Sequence, residues 1–299
     1  PAAIVVAIDH NRKLHQRLCA ELSGIDVVSN DSPDRGASAT RNAGAAIVTT
    51  GVTAFLDDDE TATPDWLTHL LAPFDDPRVV GTGGCYRPNW LAGKPSWFPD
   101  EFAWAVGGSF TGMPAETCPL RNFWSGNMAV RTADFRAVGG IRSGFGKIAG
   151  QSRPEDTDLC IRVAAEGGGH WVYVPAAIID HEVPAARSSF RFFVRRSFAE
   201  GRGKIEMSRH LDQSGTLGEE SSYLTRTIPL GLARHLRHPR HGLGRAAAIA
   251  VGVAAAGSGA AVALASGAGR RRPQPPVPEF RSDERCVGKE CRSRWWPYN

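Results

Sequence analysis

Short apolar runs and longer stretches with helical periodicity alternate along the first third of the chain. The predicted strands cover 3–9, 25–29, 52–57 and 78–85, and the predicted helices between them cover 12–23, 36–49 and 64–73. This alternation predicts parallel strands joined by right-handed crossovers, and therefore an α/β domain with a mostly parallel central sheet flanked by helices. Thr63 as N-cap and Pro64 at the first helical position mark the start of the third helix.

Regular patterning is lost from Asn89 to Leu120, where aromatic residues, Pro and Gly dominate. An unpatterned stretch of this length inside a domain is usually a functional loop, so recognition of a substrate is one interpretation. An aromatic flap that only covers the sheet is the other, because aromatic side chains pack strongly. Regular patterns then return, with predicted helices at 155–166 and 188–209 and strands at 170–174 and 177–181.

The segment from Ala246 to Gly269 contains no charged residue, and arginines flank it on both sides. Its length would span a bilayer, but Ala and Gly provide little driving force for insertion. Spanning or interfacial association at an anionic lipid surface and a soluble pair of Ala-rich helices are both left open. We expect three regions: an α/β domain at 1–210, a basic, Ala-rich helical extension at 211–272 with membrane contact through 234–272 as one alternative, and a disordered linker and tail at 273–299.

Charge and cysteine content exclude some classes of function. From Arg234 onward the chain has twelve Arg or Lys against four Asp or Glu, so residues 1–233 carry a net charge of −4 although the whole chain carries +4. An acidic globular part argues against a nucleic-acid partner. The six cysteines form no CxxC pair and have no His partner at zinc spacing, and no secretory signal opens the sequence, which favours a cytoplasmic location, with the cytoplasmic face of the membrane as an alternative.

Two acidic clusters are the candidate chemical groups. Asp57, Asp58 and Asp59 follow the apolar run that ends at Leu56, where a strand would bring carboxylates to the ligand-binding edge of an α/β sheet. Adjacent carboxylates repel one another unless a cation or open water surrounds them, so we predict a divalent metal, with a solvated helix-capping turn as the alternative. Glu155 and Asp156 open a predicted helix, where they would at least complement its macrodipole.

These clusters and five further segments, in this order, resemble glycosyltransferase family 2, whose enzymes have the GT-A fold. The similarity covers about residues 3 to 204 and rests on the segments IDHN (8–11), RGASATRNAG (35–44), AFLDDDE (54–60), SGNMAVR (125–131), RPEDTDLCIRV (153–163), VPAAIIDHEVP (174–184) and RRSFAEGRGK (195–204). No single segment is specific, and the order of the segments carries the resemblance.

The resemblance implies a role for each motif in an inverting transfer of a sugar from a nucleotide-diphospho-sugar, with UDP as the expected nucleotide. Asp59 would be the direct ligand of Mn²⁺ or Mg²⁺, Asp57 would face the metal or the ribose, and His181 would complete the metal shell. Asp156 would be the catalytic base, with Glu155 in support. Further expected donor contacts are Asp9 on uracil, Arg41, Asp58, and Arg196 with Lys204 on the diphosphate, and the expected acceptor contacts are Trp124, Ser125, Gly126 and Asn127.

The chemistry of sugar transfer requires groups of these kinds. A carboxylate-bound metal neutralises the departing diphosphate, and a positioned carboxylate takes the proton of the acceptor hydroxyl. The acceptor would be a glycan, a lipid-linked sugar or a small molecule in glycan, cell-envelope or glycolipid synthesis. A metal-dependent nucleotidyltransferase and an inactive membrane-attached sugar-binding protein are the alternatives. The lack of a Gly-rich, Lys-bearing phosphate loop argues against the first, and intact Asp59 and Asp156 argue against the second.

Both ends of the sequence depart from the family pattern. Family members begin with a strand and a PTYN-like turn that holds part of the base, and we expect this chain to lack them, with an unpaired strand edge and weak folding or donor binding as the consequence. The segment Arg281–Asn299 resembles the translation of a short-read sequencing adapter. We therefore leave that segment out of the predicted fold.

Overall fold

The computed structural model describes residues 1–142, 146–148, 151–153, 155–211, 222–266 and 286–287. The predicted α/β class is confirmed, with sheets flanked by helices. The strands are β1 (Val5–Asp9), β2 (Asp26–Asn30), β3 (Val52–Phe55), β4 (Glu60–Ala62), β5 (Val79–Trp90), β6 (Cys118–Pro119), β7 (Met128–Arg131), β8 (Gly146–Ile148), β9 (Gln151–Arg153), β10 (His170–Val183) and β11 (Cys286–Val287). The helices are α1 (Arg12–Glu21), α2 (Ala37–Ala46), α3 (Trp66–Leu71), α4 (Thr132–Ala137), α5 (Glu155–Gly167), α6 (Phe190–Leu211), α7 (Ile228–Leu236) and α8 (Pro239–Ala265).

The N-terminal unit is a small sheet in which β1 and β2 run parallel. Ile8, Cys19 and Val27 form its core, with α1 packed against the strands. The N-cap of α1 is Asn11, whose Oδ1 accepts the Leu14 N–H at 3.1 Å. Among the described strands, β1 pairs with β2 alone, and β11 pairs antiparallel with the outer edge of β2. The remainder of 273–299 lies outside the described residues, so the predicted character of that region stays a prediction.

The larger sheet has the order β3-β7-β5-β10-β4, with β6 also paired to β10. The long strands β5 and β10 are parallel, as the alternating pattern predicts, but β7 runs antiparallel to both β3 and β5. The physical reason is the route of the chain. The strand β7 is reached through the irregular segment after β5 rather than through a crossover helix, so it can enter the sheet in the opposite direction.

Several sequence-based boundaries change in the structure, including the end of β5, which was predicted at residue 85 and lies at Trp90. The strands predicted at 170–174 and 177–181 are one strand, β10, with a register irregularity between Val174 and Ile178. The helix predicted from Pro64 begins at Trp66, and its N-cap is Asp65. Thr63 instead donates its hydroxyl to the Ile178 carbonyl at 2.9 Å, which ties the start of α3 to β10.

Helix α2 joins the small sheet to the large one. Gly44 lies so close to β1 that a Cβ there would be 3.2 Å from the Cβ of Ala7. One residue later, Ala45 belongs to the main core together with Phe55 of β3. The amide of Asn42 donates to the Ile141 carbonyl at 2.6 Å and accepts the Ile141 N–H at 2.9 Å. The two sheets are thus connected by helix packing rather than by strand pairing among the described residues.

The C-terminal helices share a core with the aromatic segment that follows β5. This segment contains a 3₁₀ turn at Asp100–Val106, and its Phe98 and Phe102 pack with Phe193 of α6 and Ile249 of α8. Phe98 and Phe102 therefore pack as the flap interpretation predicts, and a role of the segment in substrate recognition stays a prediction. The boundary predicted at residue 210 stays a prediction, although α7 and α8 bury side chains in the same cluster as the domain.

Candidate active site

The turn after β3 brings three carboxylates together. Asp57, Asp59 and Glu60 each offer an oxygen, and these oxygens all lie within 4.8 Å of one another. The turn is closed twice, because the Asp57 carbonyl accepts the Glu60 N–H at 3.3 Å and Glu60 Oε2 accepts the Asp57 N–H at 2.9 Å. Asp58, which was predicted to contact the donor, is exposed and lies outside this group of three.

Glu60 was not singled out from the sequence, although it completes the run of four acidic residues. Burial, followed by repulsion from Asp57 and Asp59, raises the pKa of Glu60 to about 8. Gly126 makes room for this carboxyl, since a Cβ at position 126 would lie 2.3 Å from Glu60 Oε1. The predicted acceptor segment and the acidic turn are therefore in direct contact.

Arg41 reaches the same turn from α2. Its guanidinium, 13% exposed, donates to both oxygens of Asp57 at 2.5 and 2.8 Å. Burial alone would lower the pKa of Arg41, but the carboxylate of Asp57 and, more weakly, those of Asp156 and Glu155 raise it. Arg41 was predicted to touch the nucleotide; in the structure its guanidinium is paired with Asp57 of the first acidic cluster.

His181 lies beside Asp59, near the end of β10. Antiparallel pairing of β10 with β4 sets His181 opposite Glu60, and His181 Nε2 is 3.5 Å from Asp59 Oδ2. Arg187, from the turn that follows β10, has Nη2 3.8 Å from Asp59 Oδ2 and Nη1 3.4 Å from His181 Nε2. Sequence reasoning missed Arg187; the signal available was a cation a few residues after the predicted metal-binding His.

The second acidic cluster opens α5. Asp156 accepts the Ser125 N–H at 3.3 Å, and the Ser125 hydroxyl is 3.5 Å from its other oxygen. Burial, and then repulsion from Glu155, raises the pKa of Asp156 to about 7. A carboxyl held near neutrality is suited to proton transfer at physiological pH.

The segment from Trp124 to Asn127 connects both clusters to the sheet. Asn127 is fully buried: its Oδ1 accepts the Trp66 indole N–H at 2.7 Å, and its Nδ2 donates to the carbonyls of Cys85 and Ala177 at 3.1 and 3.0 Å. The amide of Asn127 is thus engaged with protein groups and anchors the segment. Among the four predicted acceptor residues, Ser125 and Gly126 are also buried, and Trp124 is half-buried.

The remaining predicted donor residues are placed differently. Asp9 ends β1 and accepts hydrogen bonds from the Gly36 N–H and the Asn30 side-chain amide, both at 2.9 Å. Burial alone would raise the pKa of Asp9, but the hydrogen bonds from His10, Gly36 and Asn30 outweigh burial, so the pKa is lowered. Arg196 and Lys204 lie on α6, where both pair with Glu200, at 3.1 and 3.9 Å. The structure thus shows these two cations in ion pairs along their own helix.

Comparisons with known proteins agree with this architecture. Residues 3–139 match the family model for glycosyl transferase family 2. Over 228 residues the chain is 31% identical to a glucosyl-dolichyl phosphate glucuronosyltransferase of Haloferax volcanii, covering 75% of this chain and 72% of that protein. It is also 30% identical over 182 residues to the succinoglycan biosynthesis protein ExoM of Rhizobium meliloti, covering 59% of this chain and 54% of that protein.

A solved structure of GalNAc-T7 with UDP, GalNAc and Mn²⁺ is 15% identical and aligns with a TM-score of 0.45, covering 74% of this chain and 47% of that one. The α/β fold and the family match together define a sugar-transferring enzyme. The chain belongs to glycosyl transferase family 2, which confirms the resemblance read from the order of its motifs.

Proposed function

We propose that this glycosyltransferase moves a sugar from a UDP-sugar to an acceptor hydroxyl, with a divalent metal and with inversion at the anomeric carbon. The observation that carries the proposal is that one short segment contacts both acidic clusters. The Ser125 N–H donates to Asp156 at 3.3 Å, and the next residue, Gly126, lies against the carboxyl of Glu60, so that a Cβ there would be 2.3 Å from Glu60 Oε1. Sugar transfer needs one group that stabilises the departing diphosphate and another that takes the proton of the acceptor hydroxyl, both close to the bond that breaks.

The donor atoms of the first cluster fit a divalent cation. Carboxylate oxygens of Asp57, Asp59 and Glu60 within 4.8 Å of one another are hard ligands of the kind that Mg²⁺ and Mn²⁺ take. The imidazole of His181, 3.5 Å from Asp59, adds a ligand type that suits Mn²⁺ better than Mg²⁺. When bound, such a metal would supply charge neutralisation of the departing diphosphate.

The chain's own cations support the same leaving group. Arg187 lies next to Asp59 and His181, two of the residues that would hold the metal. A guanidinium there can form charge-assisted hydrogen bonds with phosphate oxygens. We therefore assign to Arg187 the diphosphate contact that the sequence suggested for Arg196 and Lys204.

Asp156 acts as the base in this proposal. The acceptor oxygen bonds to the anomeric carbon as the bond from that carbon to the diphosphate oxygen breaks, and the hydroxyl proton passes to a carboxylate oxygen of Asp156. The Ser125 N–H, 3.3 Å from Asp156, holds the carboxylate in one orientation. A single displacement with one base and no covalent nucleophile gives inversion.

A lipid-linked sugar is the acceptor that we favour. The name of the Haloferax volcanii relative specifies glucosyl-dolichyl phosphate as its substrate. The acceptor side of this site, around Trp124, offers a half-buried aromatic ring of the kind that packs against sugar faces. The uracil of the donor is assigned to the Asp9 end of β1, as the family resemblance implies.

The test is nucleotide release by the 299-residue chain with Mn²⁺ and a panel of UDP-, GDP- and dTDP-sugars. Asp59→Ala should abolish metal-dependent release of the nucleoside diphosphate, and Asp156→Asn should lower kcat by about 10²–10⁴-fold. Asp75→Ala, at an exposed carboxylate of a distant turn, is the matched control and should retain full turnover. Full turnover by Asp59→Ala would reject the metal assignment, and release of pyrophosphate instead would indicate a nucleotidyltransferase.

A further inference from the structure

Helix α8 exposes an apolar stripe that no described part of the chain covers. From Ala246 to Ser266 the sequence contains no ionisable residue. Val251 and Val262 are 38% and 46% exposed, and Leu264 is 59% exposed. A helix at the surface of a soluble domain normally carries charged residues on its outer side. The stretch Gly242–Ala265 is long and apolar enough to cross a membrane, and only 28% of it is buried.

The opposite side of α8 is packed closely against the domain. A Cβ on Gly201 of α6 would lie 1.9 Å from the Ala256 carbonyl oxygen, and one on Gly259 would lie 2.0 Å from the Phe198 carbonyl oxygen. Gly252 likewise lies directly under the ring of Phe102. These contacts extend over two turns of α8, so the middle of the helix is attached to the domain.

This packing distinguishes between the two membrane arrangements that the sequence leaves open, a helix that spans the bilayer and a helix that lies at its surface. A spanning α8 would carry α6 into the hydrocarbon, because the two helices are in backbone contact. Helix α6 has exposed arginines at 191 and 195 and the ion pairs of Glu200 with Arg196 and Lys204. Charged side chains at that depth are costly, so α8 fits a membrane only when it lies in the plane of the surface.

The chain next to this stripe has the composition of a lipid-headgroup contact. Leu230, Leu236 and Leu243 are each more than half exposed. Exposed arginines at 237 and 240 lie among them in the sequence, and exposed Arg226 precedes them. Long basic side chains can keep their charge at the phosphate level while neighbouring apolar groups enter the acyl boundary.

We propose that α7 and the exposed stripe of α8 form a membrane-docking face that lies flat on an anionic lipid surface. We define this face by Leu230, Leu236, Leu243, Val251, Val262 and Leu264. Its occupant is lipid, because the exposed side of α8 carries no charge from Ala246 to Ser266 and exposed arginines at 226, 237 and 240 precede it in the chain. The proposal stands on these helices alone and does not depend on the assigned donor, metal or acceptor.

The first experiment is flotation of the full chain with vesicles of phosphatidylcholine, alone or mixed with phosphatidylglycerol. The chain should bind the mixed vesicles, and Val251→Glu combined with Val262→Glu should weaken binding by about ten-fold or more. Arg237→Gln and Arg240→Gln should each weaken it by about five-fold. Ile4→Glu, at a residue that is 49% exposed on the small sheet, is the matched control and should bind like the parent.

Thermal unfolding of each variant distinguishes lost binding from lost folding. Vesicle binding is compared only among variants that have the melting temperature of the parent. Parent-like binding of a folded Val251→Glu/Val262→Glu variant overturns the proposal, and so does the absence of parent binding to anionic vesicles.

The second experiment distinguishes a flat helix from a spanning one. His238→Cys, at an exposed residue just before α8, and Ser266→Cys are each expressed in the full chain, and sealed inverted membrane vesicles are treated with a membrane-impermeant maleimide. Labelled peptides are then identified by mass spectrometry. Labelling of both sites from outside is expected for a flat helix. Protection of position 266 until detergent opens the vesicles would show that α8 spans, and would overturn the in-plane arrangement.

Discussion

At the scale of single residues, the site depends on a glycine as much as on its carboxylates. Gly126 lies between Ser125, which holds Asp156, and Asn127, which is fixed to the sheet. Its missing side chain is what allows Glu60 to close the acidic turn. The size of the residue at position 126 therefore affects how closely the proposed metal-binding turn and the proposed base, Asp156, approach each other.

We expect Gly126→Ala to impair both metal use and turnover. Its Cβ would lie 2.3 Å from Glu60 Oε1, and relieving such an overlap typically costs about 1–3 kcal/mol and moves the displaced group. Steady-state kinetics at varied Mn²⁺ should show a higher apparent KM for the metal and a lower kcat. Gly51→Ala is the control, since a Cβ there meets nothing within 4 Å. Unchanged Mn²⁺ dependence in a folded Gly126→Ala enzyme would refute this role.

The pH dependence of kcat/KM should report Asp156. Burial and Glu155 raise the pKa of Asp156 to about 7, so the carboxylate needed as base is lost by protonation as the pH falls through that value. We expect kcat/KM to decrease on the acid side of about pH 7 with a slope of one proton. In Asp156→Asn the residual rate should lack this acid limb. An identical limb in both enzymes would assign the titration to another group.

At the scale of elements, α2 has more roles than its length suggests. Its Arg41 pairs with Asp57, and its Gly44 allows close packing against β1. The side-chain nitrogen and oxygen of its Asn42 bond to the backbone of Ile141. An Ala-rich helix suits this place because small side chains let it approach a strand closely.

Asn42→Ala should destabilise the fold, because it leaves a part-buried backbone N–H and carbonyl of Ile141 without their present partners. A loss of about 1–3 kcal/mol in the free energy of unfolding is expected from chemical denaturation. Asn89→Ala, at an exposed position of β5, should change stability by less than about 0.5 kcal/mol. Equal losses in the two variants would mean that the Asn42 bonds contribute nothing specific.

The elements also show what could be predicted from the sequence. The strands β1, β2, β3 and β5 and the helices between them were predictable because strand and helix periodicities differ and each change of period is local. The short strand β4 (Glu60–Ala62) was not predicted, since its pairing with β10 is a long-range contact. The antiparallel β7 was not, since its direction depends on where the irregular segment after β5 returns to the sheet. Asp57, Asp59 and Asp156 could be proposed from motif order, whereas Glu60 and Arg187 required the three-dimensional turn that places them beside Asp57 and Asp59.

At the scale of the whole molecule, the C-terminal helices are part of the folded body. Glu101, 1% exposed, is 3.2 Å from Nε2 of His235 on α7. The Tyr223 hydroxyl donates to the Glu101 carbonyl at 2.8 Å. These polar contacts add to the hydrophobic core that contains Phe102, Phe193 and Ile249.

A chain that ends at residue 211 should therefore be less stable than one that ends at residue 266. Removal of α7 and α8 would expose Phe98, Phe102 and Phe193, which are at most 1% exposed in the structure. A lower melting temperature and binding of a hydrophobic dye are the expected results for the shorter chain. Equal melting temperatures would instead support an independent domain at the predicted boundary of residue 210.

The separation of β1 and β3 into two sheets has a consequence for energetics. Hydrogen bonds that run across a sheet make its strands open together, whereas two sheets joined by a helix can open separately. Asp9 belongs to one sheet and Asp57 follows the end of a strand in the other. A donor that contacts both would add a second connection between them, so part of its binding free energy would appear as increased cooperativity of unfolding.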